Sequence, residues 1–175
     1  VAFHFPFVQR TSFRSNCACV YDDPVDIYAG YGGVFSSYDT LDINRCNFSD
    51  NSAAYCGGSI YNSYGSLIVN NSNIISSHSE DGGAIYNDLN LSVESSQIHE
   101  NVASTWGGAI YNKLNIALNS VILSSNRAKQ FGGAIYNEKI AIIKNSLFES
   151  NSAFQAGVIY SNNNLIIDNS QFIKN

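Results

Sequence analysis

Gly107-Gly108-Ala109-Ile110-Tyr111-Asn112 reads GGAIYN, and this hexapeptide decides the fold. It begins again at Gly82 and at Gly132, and GGSIYN begins at Gly57, so four copies stand 25 residues apart. Gly32-Gly33-Val34-Phe35 lies one period upstream, and Ala156-Gly157-Val158-Ile159-Tyr160 is a degenerate copy downstream, one residue early. A second signature, Phe/Ile/Leu-x-x-Asn-x-Ala, keeps the same register ahead of the glycine pair. Its copies run Phe13 to Ala18, Phe48 to Ala53, Ile98 to Ala103, Leu123 to Ala128 and Phe148 to Ala153. Phe172 to Asn175 is cut short, and the copy at Ile74 has Ser77 in the Asn position. Two motifs sharing one period of this length mark a solenoid.

Each unit holds three short apolar alternations separated by Asn, Ser and Gly, which reads as strands. The first is Ala84-Ile85-Tyr86-Asn87. The second is Leu89, Leu91 and Val93, repeated as Leu114, Ile116 and Leu118 and as Ile140 and Ile142. The third pairs Ile98 with Ala103. A helix does not fit between the breakers. Three strands in 25 residues, each matched one unit later, predict an all-β chain: a right-handed parallel β-helix of about six to seven coils. Stacking supplies the core that one coil lacks, and at about 4.8 Å per coil six coils make a rod roughly 30 Å long.

The alternation also sets facing. With Ile85 inward, Asn87 is inward, while Ala84 and Tyr86 point out. The inner apolar column is Phe35, Ile60, Ile85, Ile110, Ile135 and Ile159. The structural ladders are Gly57, Gly82, Gly107 and Gly132, and Asn62, Asn87, Asn112 and Asn137, whose amides can bond along the rod. The glycines are expected at positive φ or where a side chain would clash. Asp88, Lys113 and Glu138 alternate in sign down one column, as directly opposed neighbours should.

Repeated GGAI beside F-x-x-N resembles the repeat of the chlamydial polymorphic outer membrane proteins, over residues 13–175. The matching positions are Gly82 to Ile85, Gly107 to Ile110 and Gly132 to Ile135, with Phe48 and Asn51, and Phe148 and Asn151; Ile98, Leu123 and Ser59 depart from the pattern. The resemblance implies right-handed parallel β-helices displayed at cell surfaces, several acting in adhesion, with the two tetrapeptides implicated. It covers the repeat, and no stretch reads as that family's β-barrel.

Residues 1–12 lie outside the repeat, with Val1, Phe3, Phe5 and Phe7 on one face, and read as an N-terminal capping strand. Residues 13–31 form a first partial coil with an inserted loop, and residues 32–175 are the β-helix repeats, expected to continue in a longer parent protein. Cys17, Cys19, Cys46 and Cys56 cluster near the cap. They suggest a disulfide from Cys17 or Cys19 to Cys46 or Cys56, with free buried thiols or a zinc site as alternatives. Cys46 stands in a column otherwise held by Ser72, Ser96, Ser146 and Ser170.

The remaining chemistry is sparse. Charged residues are 13% and the net charge is −5, which argues against a nucleic-acid partner. No apolar run is long enough to span a membrane. The 23 Asn and 25 Ser favour turns over helices. No catalytic residue, metal ligand or cofactor is assigned: the fourteen acidic residues scatter over different columns, and His4, His78 and His99 have no metal spacing. The Asp22, Asp23 and Asp26 loop reads as a solvated turn, or as oxygen ligands for Ca²⁺. Tyr61, Tyr86, Tyr111, Tyr136 and Tyr160 form an outward column, joined one place before the glycines by Tyr31, Trp106 and Phe131. Tyr61, Tyr86, Tyr111, Tyr136 and Trp106 are the candidate binding residues, and the same rings could instead serve only to stack. The expected function is a non-catalytic extracellular or cell-surface module, adhesin-like, whose partner is a protein or glycan. A scaffold bound to neighbouring subunits, and a polysaccharide-active enzyme, are the alternatives.

Overall fold

The computed structural model describes residues 7–18 and 30–175, with the backbone alone for Cys17 and Ala18. The chain winds as a parallel β-solenoid of about six turns, without helix among the described residues. One coil shows the plan. Strand Ile85–Asn87 runs to a corner, then Leu91–Glu94, Gln97–His99 and Val102–Ala103, and the next Gly pair closes the turn. Each strand pairs in parallel with its copies in the coils on either side. The described residues make sheets of six, seven, seven and five strands in that order along the coil. The sequence led us to expect three strands per coil, not four. The third alternation is split, because Glu100 takes φ 59° between His99 and Asn101 and turns the chain.

The corners after the Leu91–Glu94 and Gln97–His99 strands follow one rule. A residue in the left-handed region, such as Ser95 (φ 49°) or Glu100, makes the bend. The next residue points inward and ties the corner down through its side chain. A corner leaves backbone groups off the sheet ladder, and buried ones need partners. Ser96 Oγ donates to the Glu94 carbonyl at 2.7 Å and accepts the Ser72 N–H at 3.0 Å. Ser72 and Ser146 repeat this, and Cys46 belongs to the same column, its N–H donating to Ser72 Oγ at 3.1 Å.

The core lies inside the coil. Ile60, Ile85, Ile110 and Ile135 are fully buried in register, with Phe35 and Ile159 half-buried at the ends, as the alternation requires. Burying each such side chain is worth about 1.5–3 kcal/mol. The F position of F-x-x-N forms a second inner column through Phe13, Phe48, Ile74, Ile98, Leu123, Phe148 and Phe172.

The two glycines of each pair do different jobs. Gly107 has φ +62°. Gly108 has an ordinary φ, but a Cβ there would meet the Gly133 carbonyl oxygen at 2.1 Å and the Arg127 backbone at 2.6 Å. The first glycine is crowded by its own coil, where a Cβ at Gly107 would meet the Ile110 carbonyl oxygen at 2.3 Å, and the second by the next coil.

Three facings differ from expectation. Ile140 and Ile142 point outward and are exposed, while Ala141 and Ile143 fill the core. Ile116 pairs with Ala141 and Leu118 with Ile143, so the strict register overrides the local apolar pattern. Ala84, expected outward, is buried, because the Ala109 carbonyl accepts both the Ala84 and Ile85 N–H and turns both side chains in. In the segment read as a cap, Val1, Phe3 and Phe5 lie outside the described residues. From Phe7 onward it is a strand of the solenoid, with Val8 opposite Ile43 facing the core and Phe7 exposed. Most of the inserted loop lies outside the described residues; before it Phe13 pairs with Phe48, and after it Phe35 pairs with Ile60.

Candidate functional site

The candidate site is built on the Ile85–Asn87 sheet. The residues on either side turn in, which leaves a tyrosine on the outer side of five successive coils, from Tyr61 to Tyr160. Parallel register then stacks the rings. Tyr86 and Tyr111 centroids are 4.7 Å apart and 4° from parallel; Tyr111–Tyr136 and Tyr136–Tyr160 are each 4.9 Å apart. Tyr61 is 5.4 Å from Tyr86 and Tyr31 4.8 Å from Tyr61.

The column exists as expected, but it is not an open strip. Tyr86 is 8% and Tyr111 5% exposed, whereas Tyr61, Tyr136, Tyr160 and Trp106 are half-buried. The residues before the glycines fold over the rings. Trp106 stacks on Tyr136 at 5.5 Å and on Tyr111 at 6.0 Å, held by its Nε1–H to Gln130 Oε1 at 3.2 Å. Phe131 packs on Tyr160 at 5.0 Å. On the other flank Lys113 Nζ sits 5.2 Å from the Tyr86 centroid and 2.8 Å from Asp88 Oδ1. Tyr111 donates its hydroxyl to Glu138 Oε1 at 2.6 Å. The sign-alternating column is therefore real at Asp88–Lys113, and Glu138 serves the tyrosine.

Burial sets the titration. It pushes the Tyr61 phenol up to about 12, with the Asp88 charge adding to it. Burial raises Tyr86 and Tyr111 further, reinforced at Tyr86 by Cys56 and at Tyr111 by the bond to Glu138. For Lys113, burial opposes the charge but Asp88 outweighs it and holds the ammonium above its ordinary value. Faces of the central rings are consumed by neighbours, so they offer no platform for a ligand. Only the half-buried rings keep surface.

The asparagines are wholly structural. Asn87 Nδ2 donates to Asn112 Oδ1 at 2.8 Å and to the Leu89 carbonyl at 2.7 Å, and Asn112 Nδ2 donates to Asn137 Oδ1 at 2.9 Å. Asn62 starts this ladder through its bond to Asn87. The F-x-x-N asparagines form another. Asn126 Nδ2 donates to Asn151 Oδ1 at 3.0 Å and to the Ile98 carbonyl of the preceding coil at 2.9 Å, while Asn151 Oδ1 also accepts the Asn126 N–H. That explains the motif spacing, since the asparagine clamps the carbonyl of the F position one coil away. The sequence did not reveal this second ladder, although its recurrence at Asn51, Asn101, Asn126 and Asn151 was the available signal.

Cys46 and Cys56 are free thiols, so no disulfide forms at either in this structure. Cys46 Sγ lies 3.4 Å from the Asn44 carbonyl, in the role of the column's serine hydroxyls. Cys56 is half-buried among aromatic rings, and burial, then Asp81, pushes its thiol up to about 12. Cys19 and the Cys17 side chain lie outside the described residues, as do His4 and the Asp22 to Asp26 loop. Among the described residues no three His, Cys, Asp or Glu side chains gather as metal ligands, and no helix is long and apolar enough to cross a membrane.

Three segments, residues 45–63, 95–113 and 120–138, match the model of the Chlamydia polymorphic membrane protein repeat. All three begin at the same phase of the coil and run from F-x-x-N through the glycine pair to the inward asparagine. No curated protein and no solved structure matches the chain. Within these three segments the chain is thus similar to the Chlamydia polymorphic membrane protein repeat.

Proposed function

We propose that the chain is a non-catalytic, adhesin-like module displayed at a cell surface, in which a rigid stack of coils presents outward side chains to a protein or glycan. The observation that carries this reading is the division of labour within the repeat. Every motif residue that recurs is spent on the coil itself: isoleucines in the core, asparagines in ladders, glycines in corners. Apart from the stacked tyrosines, the outward positions vary from coil to coil, which suits display rather than chemistry. The matched repeat is that of a membrane protein family, which supports placement at a surface. The experiment is binding of the purified, folded chain to intact cells. Saturable binding is expected, and absence of binding by the folded chain would overturn the reading.

A scaffold subunit that packs side to side with a copy of itself is favoured by one feature. The outer side of the Leu91–Glu94 sheet carries an apolar groove of about 450 Å³, lined among others by Ile68, Ala117, Ile140 and Ile142. Sedimentation equilibrium separates the two readings. A dimer abolished by Ile142→Lys supports the scaffold, and a monomer at all concentrations removes it.

A further inference from the structure

One corner of the rod has chemistry that the aromatic column lacks. Arg127 and Lys129 lie on either side of Ala128, which is buried, so both cations point outward from the same strand end. Ser152 is bridged to Arg127 in the next coil, and Phe154 follows two residues later. Phe154 is 83% exposed, the most exposed large apolar side chain among the described residues. Together Arg127, Ala128, Lys129, Ser152, Ala153 and Phe154 line a shallow depression of about 370 Å³.

Two features make this corner unusual for the molecule. The chain carries only nine Lys and Arg against fourteen Asp and Glu. The ion pairs among the described residues are Arg14–Asp50, His99–Glu100 and Lys113–Asp88, so neither Arg127 nor Lys129 has a carboxylate partner. Two unpaired cations on an acidic protein form a local anion site. A bare phenyl ring beside them adds an apolar face that an inorganic anion would not use.

We propose that this corner binds the acidic sugar units of an anionic polysaccharide. The carboxylate or sulfate of the sugar meets the Arg127 fork and the Lys129 ammonium, both of which form charge-assisted bonds to oxyanions. The C–H face of the pyranose lies on Phe154, and a ring hydroxyl reaches Ser152. This rests on the surface-display reading and names its ligand class. The coil spacing fixes the backbone positions of the four residues, so only their side chains are ordered on binding.

The test uses the full chain with polygalacturonate, dextran sulfate, neutral dextran and polyglutamate as probes, measured by calorimetry. Binding to one or both acidic polysaccharides and not to neutral dextran is expected, and the polymer preferred identifies the acid. Replacing both cations, Arg127→Ser with Lys129→Ser, should weaken binding by about tenfold or more, as loss of charge-assisted bonds does. Phe154→Ser should weaken it severalfold, and provides the second arm. No binding to either acidic polysaccharide overturns the proposal, as does binding that both variants leave intact. Equal binding of polyglutamate, unaffected by Phe154→Ser, overturns it in favour of simple charge attraction. Wild-type adhesion to cells without binding to either acidic polysaccharide sinks this site and leaves the surface-display reading standing. Binding to the polysaccharides without adhesion to cells does the reverse.

Discussion

The hydroxyls of Ser59 and Ser77 meet at 2.8 Å inside the solenoid, and each is a departure from its own column. Ser59 stands where Ala84, Ala109 and Ala134 stand in later coils, and Ser77 stands where Asn101 and Asn126 stand. Ser77 is too short to take the Asn51 amide. Ser59 takes it instead, accepting from Asn51 Nδ2 at 3.2 Å, while the Ser77 N–H still donates to Asn101 Oδ1. Two irregularities in the repeat thus repair one break in the ladder.

Ser59→Ala should therefore destabilise the fold by about 1–3 kcal/mol, the cost of stranding a buried donor. Ser77→Asn alone should also destabilise, because the longer side chain meets Ser59. The double variant restores the regular pair and should approach wild-type stability. Urea unfolding of the four proteins checks this through the coupling energy, and strictly additive effects would refute the partnership.

Asn112→Asp places a carboxylate in the middle of an amide ladder, buried and next to Asn137 Oδ1. Burial raises the folded-state value of such a carboxyl above its unfolded value of about 3.9. With the folded value raised, stability is retained below the unfolded value and lost as pH rises through the folded one. The variant should be near wild type at pH 3 relative to wild type at that pH, and weaker by several kcal/mol at pH 7, as for an uncompensated buried charge. Melting curves across pH test it.

Ile110→Ala should cost roughly 2–5 kcal/mol, as deletion of a buried aliphatic side chain does. Tyr111→Ser should cost a similar amount, about 3–5 kcal/mol, because it removes stacking on Tyr86 and Tyr136 and strands Glu138. A tyrosine that merely projected into solvent would lose almost nothing. Chemical denaturation of both variants distinguishes these cases.

The chain should unfold in alkali. Tyr61, Tyr86 and Tyr111 all have folded values raised above the ordinary 10.0. Stability from a raised group is full below the unfolded value and falls as pH climbs toward the folded one. Loss should begin near pH 10 and continue through the Tyr61 value of about 12. Tyrosinate absorbance should rise together with loss of circular dichroism, and early titration of these phenols in folded protein would contradict their burial.

Much of this molecule is written along the chain. The recurrence of GG-x-IYN and F-x-x-N is a one-dimensional property, and in-register stacking turns a period of 25 directly into a parallel solenoid with inward isoleucine and asparagine columns. Alternation, however, says on which side of a coil a residue lies, not what covers it there. Tyr111 is outward from its coil and still buried, because rings 4.7 Å and 4.9 Å away in adjacent coils, with Trp106 beside them, exclude water. The same limit explains Ala141 and Ile143, whose inward facing comes from pairing with Ile116 and Leu118 rather than from the local run Ile140-Ala141-Ile142-Ile143. The division of the glycine pair, the Ser59–Ser77 contact and the meeting of Arg127, Lys129 and Phe154 all depend on distances between coils. Those distances join residues far apart along the chain, 18 in the case of Ser59 and Ser77, and only the folded stack sets them.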